Sequence, residues 1–352
     1  MNKLIYINGR FLLQAPTGVQ RYAYEMCKAL CECGIDYTLI CPKKGIINKA
    51  YDVSLFKIER YGIGHSHFWE QLVLPFFFLG KKDYVLISFT GLGSIAVPNK
   101  IMTVHDLSFL VCRQWFSRAY YCFYKPMTWL AVKTSKHLIT VSEFSKKEIL
   151  RLYPFLAEDK IHVIYNAADK DKFKPANSFT EHGMPYCLSV SSLDPRKNFT
   201  RLLEAFKGIE GCKLLIVGGA NKVFAQNQAL HKSENIKFLG RVSDEELIHL
   251  YQGANAFIFP SLYEGFGLPV VEAMCVGCPV IASDIPVLRE VCGEAAIYFN
   301  PKNTDDIRNK ILSFIDNQQN LKPIMTQKGK DNVLRFSWKS SAMKLVKLIN
   351  TL

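Results

Sequence analysis

The residues Phe259 to Glu290 read FPSLYEGFGLPVVEAMCVGCPVIASDIPVLRE, and this stretch decides the fold of the second half of the chain. The apolar run Ala256 to Phe259 that leads into it is typical of a buried parallel strand. Gly265 and Gly267 allow backbone dihedrals that residues with a Cβ avoid, and Pro269 suits the first position of a helix. The stretch therefore predicts a strand, a glycine turn and a helix, as in a parallel α/β sheet.

Two carboxylates flank this turn, Glu264 within it and Glu272 in the expected first turn of the helix. The amides of Phe266, Gly267 and Leu268 lie at the helix start, where N–H groups lack intrahelical acceptors and bind anions. A diphosphate is expected there, with the carboxylates accepting hydrogen bonds from sugar hydroxyls on either side. Glu272 has an alternative role, because an acidic residue also complements the helix dipole. Glu264 has no such capping duty.

At these residues the chain resembles the GT4 family of retaining glycosyltransferases. Glu264 and Glu272 match that family's E-x7-E motif, and the residues between them match its turn. Five further motifs follow in the family's order, namely Thr17 to Tyr22 around Gly18, Val104-His105-Asp106, Val141 to Ser145, Asp194 to Asn198, and Phe238 to Arg241. The resemblance spans nearly the whole chain and is strongest toward the branch that builds bacterial surface polysaccharides such as O-antigen, often with mannose donors.

Arg196 and Lys197 are candidate phosphate ligands, because they follow the strand Tyr186 to Val190 and open the next helix. The alternative is an ordinary solvated basic pair. By resemblance, Lys197 is the more dependable ligand. Many family members also carry an arginine near Ser192, and its absence here leaves Arg196 as the candidate for the second cationic contact.

In the first half of the chain, His105 follows the strand Ile101 to Val104, and by resemblance it contacts the donor sugar. The alternative is a buried histidine with satisfied hydrogen bonds. By the same resemblance, Gly18 and Arg21 lie where a helix N-terminus approaches the diphosphate or the acceptor. Asp106 is expected to cap the segment that follows it.

The resemblance implies retention of anomeric configuration, with Glu264, His105 and Lys197 as the catalytic residues. Cationic and amide donors stabilise the departing nucleotide diphosphate. Same-face attack, assisted by the leaving phosphate as base, is favoured because no dedicated nucleophile stands out. Glu264 then orients the transferred sugar and Glu272 the ribose. A short-lived glycosyl-enzyme intermediate remains the alternative.

Alternating strands and helix-length segments predict an α/β protein with two doubly wound, Rossmann-like domains. By resemblance to GT-B folds, these domains face a central cleft. The predicted boundaries are residues 1–168 for an acceptor domain, joined by the C-terminal helix 338–352, and residues 169–337 for the nucleotide-sugar domain. The expected linker is Ala167 to Met184, which shows no periodicity. The expected strands are Leu4 to Ile7, Tyr37 to Cys41, Val85 to Ser88, Ile101 to Val104, His137 to Val141, Ile161 to Tyr165, Tyr186 to Val190, Lys213 to Val217, Ile236 to Leu239, Ala256 to Phe259, Val280 to Ala282 and Ala296 to Phe299.

No cofactor and no catalytic metal are expected. Asp169-Lys170-Asp171 imitates a metal-binding D-x-D motif but falls in the predicted linker. Cys275 and Cys278 have no second ligand pair nearby, so packing explains them better than zinc. The remaining cysteines are scattered singly, which indicates a reducing compartment. The sequence Gly91-x-Gly93-x-x-Ala96 imitates a dinucleotide fingerprint, but the next strand leaves no room for its helix, and a loop is expected.

The net charge is +13, and residues 1–168 carry +9 of it, with 21 Lys and Arg against 12 Asp and Glu. Within them, Val111 to Lys136 contains five basic residues, seven aromatic residues and no acid. This mixture suits an anionic membrane surface, and the residues expected to face it are Trp115, Arg118, Lys125 and Trp129. The alternative is a core helix with a solvated basic side.

The resemblance favours GDP-mannose as donor and a polyprenyl-diphosphate-linked oligosaccharide as acceptor, with a UDP-hexose or another GDP-sugar as the alternative donor. A cytoplasmic protein, peripheral on the inner face of the inner membrane, is expected, because no signal peptide or spanning segment is visible. Nucleic-acid binding is the other reading of a basic, aromatic patch, but no recognised binding motif supports it. A catalytically silent membrane partner of the same fold is disfavoured by the intact motif residues.

Overall fold

The computed structural model describes residues 3–170, 172–174, 184–190, 194–219 and 234–352. The chain divides into two compact units. Unit 1 contains Met1–Asn166 and Ser337–Leu352, and unit 2 contains Ala167–Phe336. Each unit has its own parallel sheet, with helices in most of the described connections between strands, so the predicted α/β class with two doubly wound domains is confirmed.

Unit 1 holds a seven-stranded parallel sheet in the order β3-β2-β1-β4-β5-β6-β7. Its strands are β1 Leu4–Asn8, β2 Thr38–Cys41, β3 Ile58–Arg60, β4 Tyr84–Ser88, β5 Lys100–Val104, β6 His137–Thr140 and β7 Ile161–Val163. Its described helices are Gly18–Glu32, Ser66–Phe68, Leu74–Phe77, Ser108–Val111, Arg118–Thr134, Glu143–Leu152 and Trp338–Asn350, with a π-helical turn at Trp69–Val73.

Unit 2 holds a six-stranded parallel sheet in the order β10-β9-β8-β11-β12-β13. Its strands are β8 Tyr186–Val190, β9 Lys213–Val217, β10 Ile236–Gly240, β11 Ala256–Phe259, β12 Val280–Ser283 and β13 Ala296–Phe299. Its described helices are Phe199–Phe206, Asp244–Gly253, Leu268–Val276, Pro286–Cys292, Thr304–Asp316 and Gln318–Asn332.

Helix Phe199–Phe206 shows why these segments fold as they do. Phe199, Leu202, Leu203 and Phe206 recur at the spacing of one helix face, and all four are buried in the core of unit 2. Burial of each such side chain contributes about 1.5–3 kcal/mol relative to exposure. The hydrophobic face therefore fixes the helix against the sheet and sets the direction of the loop before it.

The order of strands reverses once in each sheet, between β1 and β4 in unit 1 and between β8 and β11 in unit 2. Loops leaving the carboxyl ends of these neighbouring strands diverge, and in open α/β sheets ligands bind in the crevice that this creates. The loops after β8 and β11 carry the two main charged motifs of the sequence, Asp194 to Asn198 and Glu264 to Glu272.

The predicted strands all occur, with ends that differ by at most two residues. β3 was missed: it is a three-residue edge strand, paired in the sheet only with β2, and its sequence Ile-Glu-Arg shows no apolar alternation. The segment Gly91 to Ala96 is a turn with positive φ at Gly91 and Gly93, so the loop prediction is correct. Most of the predicted linker, including Asp171, lies outside the described residues.

The last helix, Trp338–Asn350, packs in unit 1 against helix Gly18–Glu32. The Trp338 ring lies 5.7 Å from the Tyr22 ring, and Ser341 Oγ donates a 2.7 Å hydrogen bond to the carbonyl of Tyr165. These contacts place the end of the chain beside the helix that begins at Gly18.

Candidate functional site

Lys197 and Glu264 form a short ion pair at the strand-order reversal of unit 2. Lys197 Nζ lies 2.5 Å from Glu264 Oε1, and the two side chains are only 11% and 9% exposed. The ammonium group also lies 5.4 Å from the centre of the Phe259 ring, at the end of β11. Two residues that are 67 positions apart in sequence are thus brought together because their loops leave adjacent strands.

The loop before Lys197 is fixed by its own sequence. Asp194 caps a 3-10 turn, Pro195–Lys197, by accepting a 3.0 Å hydrogen bond from the amide of Arg196. Pro195 suits the first position of such a turn, since it lacks the N–H that would be unsatisfied. Asn198 ends the turn in the left-handed conformation, with φ of 58°, which Asn tolerates better than most residues. The motif therefore holds Lys197 at a defined position.

Direct hydrogen bonds join this loop to the one that carries Glu264. Leu262 donates its amide proton to the carbonyl of Arg196 at 2.8 Å. Asn198 Nδ2 donates to the carbonyls of Pro260 and Pro301 at 3.1 and 2.7 Å. Because Asn198 is 4% exposed, these bonds are shielded from water. The spacing between Lys197 and Glu264 is therefore set by the backbone of both loops.

Arg196 is half-buried beside Lys197, and its Nε lies 3.8 Å from Asp194 Oδ1. The structure thus gives the Arg196 guanidinium a carboxylate neighbour on its own turn.

The glycine turn requires glycine at Gly267. Its φ is +96°, and a Cβ built there would lie 2.9 Å from Leu288 Cδ2. Gly267 caps helix Leu268–Val276, so the helix starts one residue earlier than the sequence indicated and Pro269 is its second residue. Glu272 is the fifth residue and lies beyond the first turn. The expectation that it lies in the first turn was wrong, so the alternative role of complementing the helix dipole from that turn does not apply, and its 4% exposure makes it a buried carboxylate.

Phe266 is buried next to this helix start and contacts the Phe336 ring edge to face at 5.4 Å. The packing of this ring holds the turn in place, and with it the backbone of Gly267 and Leu268 near the end of β11. The helix has nine residues, and its N-terminal amides carry partial positive charge beside the Lys197 loop.

His105 directly follows β5 in unit 1. Its Nε2 lies 2.8 Å from the carbonyl oxygen of Phe89, which accepts but cannot donate, so Nε2 carries the proton. Nδ1 is then a hydrogen-bond acceptor in the neutral ring. Burial lowers the pKa of His105 below its ordinary value of 6.5, against the opposing effects of the Phe89 carbonyl and of Asp106. The Tyr22 ring packs edge-on at 4.9 Å and fixes the imidazole plane.

Asp106 accepts a 2.9 Å hydrogen bond from the amide of Ser108, as the sequence predicted for a capping residue. Gly18 is the first residue of helix Gly18–Glu32, and a Cβ built there meets no atom within 4 Å. Arg21 is half-buried one turn further along. The space over the helix start is therefore open in unit 1, and the glycine is not required by packing against the described residues.

A buried polar network in unit 1 was missed by the sequence reasoning. Glu70 is fully buried; it accepts a 2.7 Å hydrogen bond from Asn8 Nδ2, and Arg10 Nη2 lies 3.5 Å from it. His67 Nδ1 lies 3.3 Å from the same carboxylate, and His67 Nε2 lies 2.8 Å from the hydroxyl of Tyr124. No local pattern marks these residues, because they come from separate segments: β1 and the 3-10 turn after it, helix Ser66–Phe68 with the π-helical turn that follows, and helix Arg118–Thr134.

Helix Arg118–Thr134 exposes both cations and aromatic rings. Thr128, Ala131 and Val132 form its buried side. On the other side Arg118, Lys125 and Trp129 are exposed, whereas Trp115 before the helix is half-buried. Further exposed residues of the same helix are Tyr120, Phe123, Leu130 and Lys133. The helix thus has a packed side and a basic, aromatic solvent side.

A second exposed apolar set lies on the segment around the π-helical turn. Phe68, Leu72, Phe76 and Leu79 are 57%, 58%, 62% and 71% exposed. The Phe123 ring lies 5.5 Å from His67, directly before Phe68, so this set borders the solvent side of helix Arg118–Thr134. In the described part of the chain, no helix is long and apolar enough to span a bilayer.

Metal-ligating side chains do not cluster within the described ranges: no group of three or more His, Cys, Asp or Glu there is placed to hold an ion. Burial raises the pKa of Cys275 to about 11 and that of Cys278 to about 12, so both thiols keep their protons at neutral pH. All eleven cysteines are free thiols.

Two doubly wound units, each with loops that diverge at a strand-order reversal, define a class of two-domain α/β proteins with ligand-binding crevices at the carboxyl ends of the strands. The chain belongs to the family 4 and group 1 glycosyltransferases: residues 16–172 match the model described as Glycosyltransferase Family 4, and residues 170–332 match the model described as Glycosyl transferases group 1. The protein is therefore a glycosyltransferase with the two Rossmann-like domains of the GT-B class.

Individual proteins agree with this assignment. The O-antigen chain mannosyltransferase B of Escherichia coli is 30% identical over 282 residues, which cover 75% of this chain and 74% of that protein. The O-antigen chain mannosyltransferase RfbU of Salmonella typhimurium strain LT2 is 36% identical over 209 residues, covering 58% and 57%. Anabaena HepE, crystallised with UDP and glucose, superposes with a TM-score of 0.78 at 18% identity, covering all of both chains.

Proposed function

We propose that the protein transfers a hexose with retention of configuration, and that its donor is GDP-mannose. The observation that carries the proposal is the buried Lys197–Glu264 pair at the reversal of the second sheet, beside the start of helix Leu268–Val276. A nucleotide diphosphate needs cations and amide donors at its phosphates, and a sugar needs carboxylate acceptors at its hydroxyls. These groups meet in unit 2.

In the unliganded protein the pair keeps both charges compensated, because an isolated buried charge is costly. On donor binding, Lys197 also contacts the diphosphate, and Glu264 turns an oxygen to the sugar hydroxyls. As the bond to the leaving phosphate breaks, negative charge grows on the phosphate oxygens. Lys197, Arg196 and the amides from Phe266 to Leu268 stabilise that charge more in the transition state than in the ground state.

The described side chains favour same-face attack over a covalent intermediate. Glu264 is held by Lys197, and Glu272 is buried within a helix, so neither is presented as a nucleophile. The leaving phosphate then takes the proton of the attacking hydroxyl. Glu272 binds the ribose. In unit 1, the Nδ1 atom of His105 accepts a hydrogen bond from a sugar hydroxyl, and the open space over Gly18, near Arg21, admits a substrate phosphate or the acceptor.

The choice of mannose rests on the relatives. Mannosyltransferase B and RfbU are named as O-antigen chain mannosyltransferases. HepE, which shares the fold, was crystallised with UDP, so a UDP-hexose is the alternative donor. No metal or other cofactor takes part in the proposed mechanism, since the cationic side chains and amides supply the charge stabilisation.

We place the protein in O-antigen synthesis, with a polyprenyl-diphosphate-linked oligosaccharide as acceptor, peripheral on the cytoplasmic face of the inner membrane. Two contiguous surfaces of unit 1 support this. The solvent side of helix Arg118–Thr134 offers cations to anionic headgroups, and Phe68, Leu72 and Phe76 offer apolar area beside it. A helix that only faces water would not be expected to expose this combination of cations and large apolar side chains.

The test is calorimetric binding of GDP, UDP, GDP-mannose and UDP-glucose in the presence of EDTA, followed by NMR of the transferred sugar. Selective binding of GDP and GDP-mannose without metal, with an α-linked mannose product, is expected. Selective UDP binding overturns the choice of GDP-mannose as donor but leaves the proposed donor site in unit 2 unchanged. Absence of binding to every nucleotide, in a folded protein, overturns the proposed site.

A further inference from the structure

A cavity of about 210 Å³ opens in unit 1 beside His105. Its wall includes Gly91 after β4, His105 after β5 and four aromatic residues, Phe109, Phe116, Tyr120 and Tyr124. It therefore lies at the carboxyl ends of the strands, where α/β sheets bind ligands. The catalytic roles proposed above use only His105 from this wall.

The aromatic residues hold Tyr124 in a fixed position. The Tyr120 ring stacks on the Tyr124 ring at 4.1 Å and 21°, and on the Phe116 ring at 5.3 Å and 28°. Phe109 meets both ends of this stack edge to face. The phenol ring of Tyr124 is thus held by neighbouring aromatic rings, and its hydroxyl is the group that forms hydrogen bonds.

The Tyr124 hydroxyl is the last member of a hydrogen-bonded chain, Glu70–His67–Tyr124, in which the donor and the acceptor of each bond can be assigned. The Glu70 carboxylate, when ionised, can only accept hydrogen bonds, so the 3.3 Å contact requires a proton on His67 Nδ1. In the neutral imidazole, Nε2 is then an acceptor, and it accepts a 2.8 Å hydrogen bond from the Tyr124 hydroxyl. Because its proton is engaged by His67, the Tyr124 oxygen can act toward a ligand only as an acceptor.

Glu70 is also anchored by residues other than His67: Asn8 donates to its Oε1 atom, and Arg10 lies near Oε2, the oxygen that His67 contacts. Asn8 and Arg10 hold it from the end of β1, and the π-helical turn Trp69–Val73 places it in the interior. A fully buried carboxylate with a partner arginine contributes little net stability compared with an apolar replacement. π-helical turns are frequent at functional sites.

The pKa of Tyr124 agrees with this polarity. Burial raises it above the ordinary value of 10, with Arg10 opposing and Glu70 adding to the shift. Tyr124 therefore keeps its proton at neutral pH and donates a hydrogen bond to His67.

We infer that this cavity receives the terminal sugar of the acceptor, and that the Tyr124 oxygen accepts a hydrogen bond from a ring hydroxyl next to the attacking one. The inference rests on the proposed function. The attacking hydroxyl keeps its own proton for the leaving phosphate, so Tyr124 selects the acceptor and does not act as a base. His67 and Glu70 are positioning residues that fix the direction of the hydrogen bond.

The experiment uses the methyl α-glycosides of mannose, glucose, galactose and N-acetylglucosamine as acceptors for the full-length protein. For the best of these, each monodeoxy analogue is compared with the parent. In the wild type, one analogue is expected to lose about tenfold in kcat/KM, since its missing hydroxyl leaves the Tyr124 oxygen unpaired. Tyr124→Phe is expected to lower kcat/KM for the parent glycoside to the value that the wild type shows with this deoxy analogue, mainly through an increase in KM. It is expected to leave kcat/KM for the analogue itself unchanged.

Glu70→Gln is expected to abolish the same discrimination. An amide nitrogen there donates to His67 Nδ1, moves the imidazole proton to Nε2 and turns the Tyr124 hydroxyl into a donor. Tyr121→Phe, on the same helix but outside the cavity, is the matched control and retains the wild-type pattern. Melting temperatures show whether each variant is folded.

The inference is overturned if folded Tyr124→Phe discriminates among the deoxy analogues as the wild type does. Donor binding by calorimetry separates this outcome from failure of the proposed function, because the donor site in unit 2 contains no residue changed here. If wild-type protein binds donor but Tyr124→Phe and Tyr121→Phe behave alike, only the acceptor role is lost.

Discussion

Lys197 Nζ and Glu264 Oε1 lie 2.5 Å apart across the strand-order reversal of the second sheet. By resemblance, one residue belongs to a phosphate-binding motif and the other to a sugar-binding motif. In the proposed mechanism, the two parts of a nucleotide sugar are therefore recognised by groups that already contact each other in the structure. Donor binding must therefore redistribute one hydrogen bond, and substitution of either residue leaves the other charge buried.

Glu264→Ala is expected to reduce transfer by about 10²–10³-fold, the cost typical of removing one preorganised electrostatic contact. The reason is loss of the sugar-orienting carboxylate together with an unpaired Lys197. Initial rates with saturating donor measure the effect, and circular dichroism checks the fold. Glu210→Ala, at an exposed position, is the control. A folded Glu264→Ala protein with full activity excludes the proposed role.

Lys197→Ala is expected to weaken donor binding by about 10- to 100-fold, because a charge-assisted hydrogen bond to phosphate is worth about 1.5–3 kcal/mol. The double variant Lys197→Ala, Glu264→Ala is expected to cost clearly less than the sum of the two single changes, since the residues share one interaction. Calorimetry with GDP-mannose and kcat/KM values test both statements. Strict additivity contradicts a functional coupling between the pair.

The sequence predicted those parts of the molecule that depend on local order. Apolar runs such as Ala256–Phe259 have one physical explanation, a strand buried on both faces, and the strands were found where these runs lie. The role of Asp106 was recognisable because a side chain that bonds to the backbone of its own turn needs no distant partner. The start of helix Leu268–Val276 was misplaced by one residue, since Gly267 and Pro269 both permit a start on either side.

What the sequence did not reveal depends on tertiary contacts. Glu70 is an ordinary acidic residue in the printed chain, and only the fold shows that it is fully buried with Asn8, Arg10 and His67 around it. Phe68 and Leu72 are apolar residues in the printed chain, and only the fold shows that both are exposed. The pairing of Lys197 with Glu264 follows from strand order, which no local pattern encodes.

Gly267→Ala is expected to reduce stability, whereas Gly18→Ala is expected to reduce activity and to leave stability unchanged. A methyl group at Gly267 meets Leu288 in a left-handed backbone, so Gly267→Ala is expected to lower the free energy of unfolding by about 1–3 kcal/mol. At Gly18 a methyl group meets no described atom, so stability should be unchanged while activity falls, because the methyl occupies space needed by substrate. Chemical denaturation and initial rates distinguish them. Full activity of Gly18→Ala removes Gly18 from the substrate-binding set.

The pH dependence of transfer is expected to reflect a neutral His105. Because burial lowers its pKa below 6.5, the ring stays neutral as pH falls through 6.5 and becomes protonated only at lower pH. The unfolded chain takes up that proton earlier, so His105 makes the folded protein progressively less stable as pH decreases below 6.5. The profile of kcat/KM should therefore be flat above 6.5, with an acid limb below it. Persistence of that limb in His105→Gln assigns it to another group.

Arg118→Glu with Lys125→Glu is expected to release the protein from vesicles that contain anionic lipid. Each basic residue near such a surface contributes about 1 kcal/mol, and reversal of two charges replaces attraction by repulsion, so the partition coefficient should fall at least about 30-fold.

Lys302→Glu with Lys310→Glu makes the same charge change at exposed positions of unit 2 and should leave binding unchanged. Leu72→Ser with Phe76→Ser removes apolar area without changing charge, and its effect should persist at high salt, whereas that of the charge reversal should diminish. Co-sedimentation at two ionic strengths measures all three. Equal loss in the unit 2 control would mean that overall charge, and not this face of unit 1, governs binding.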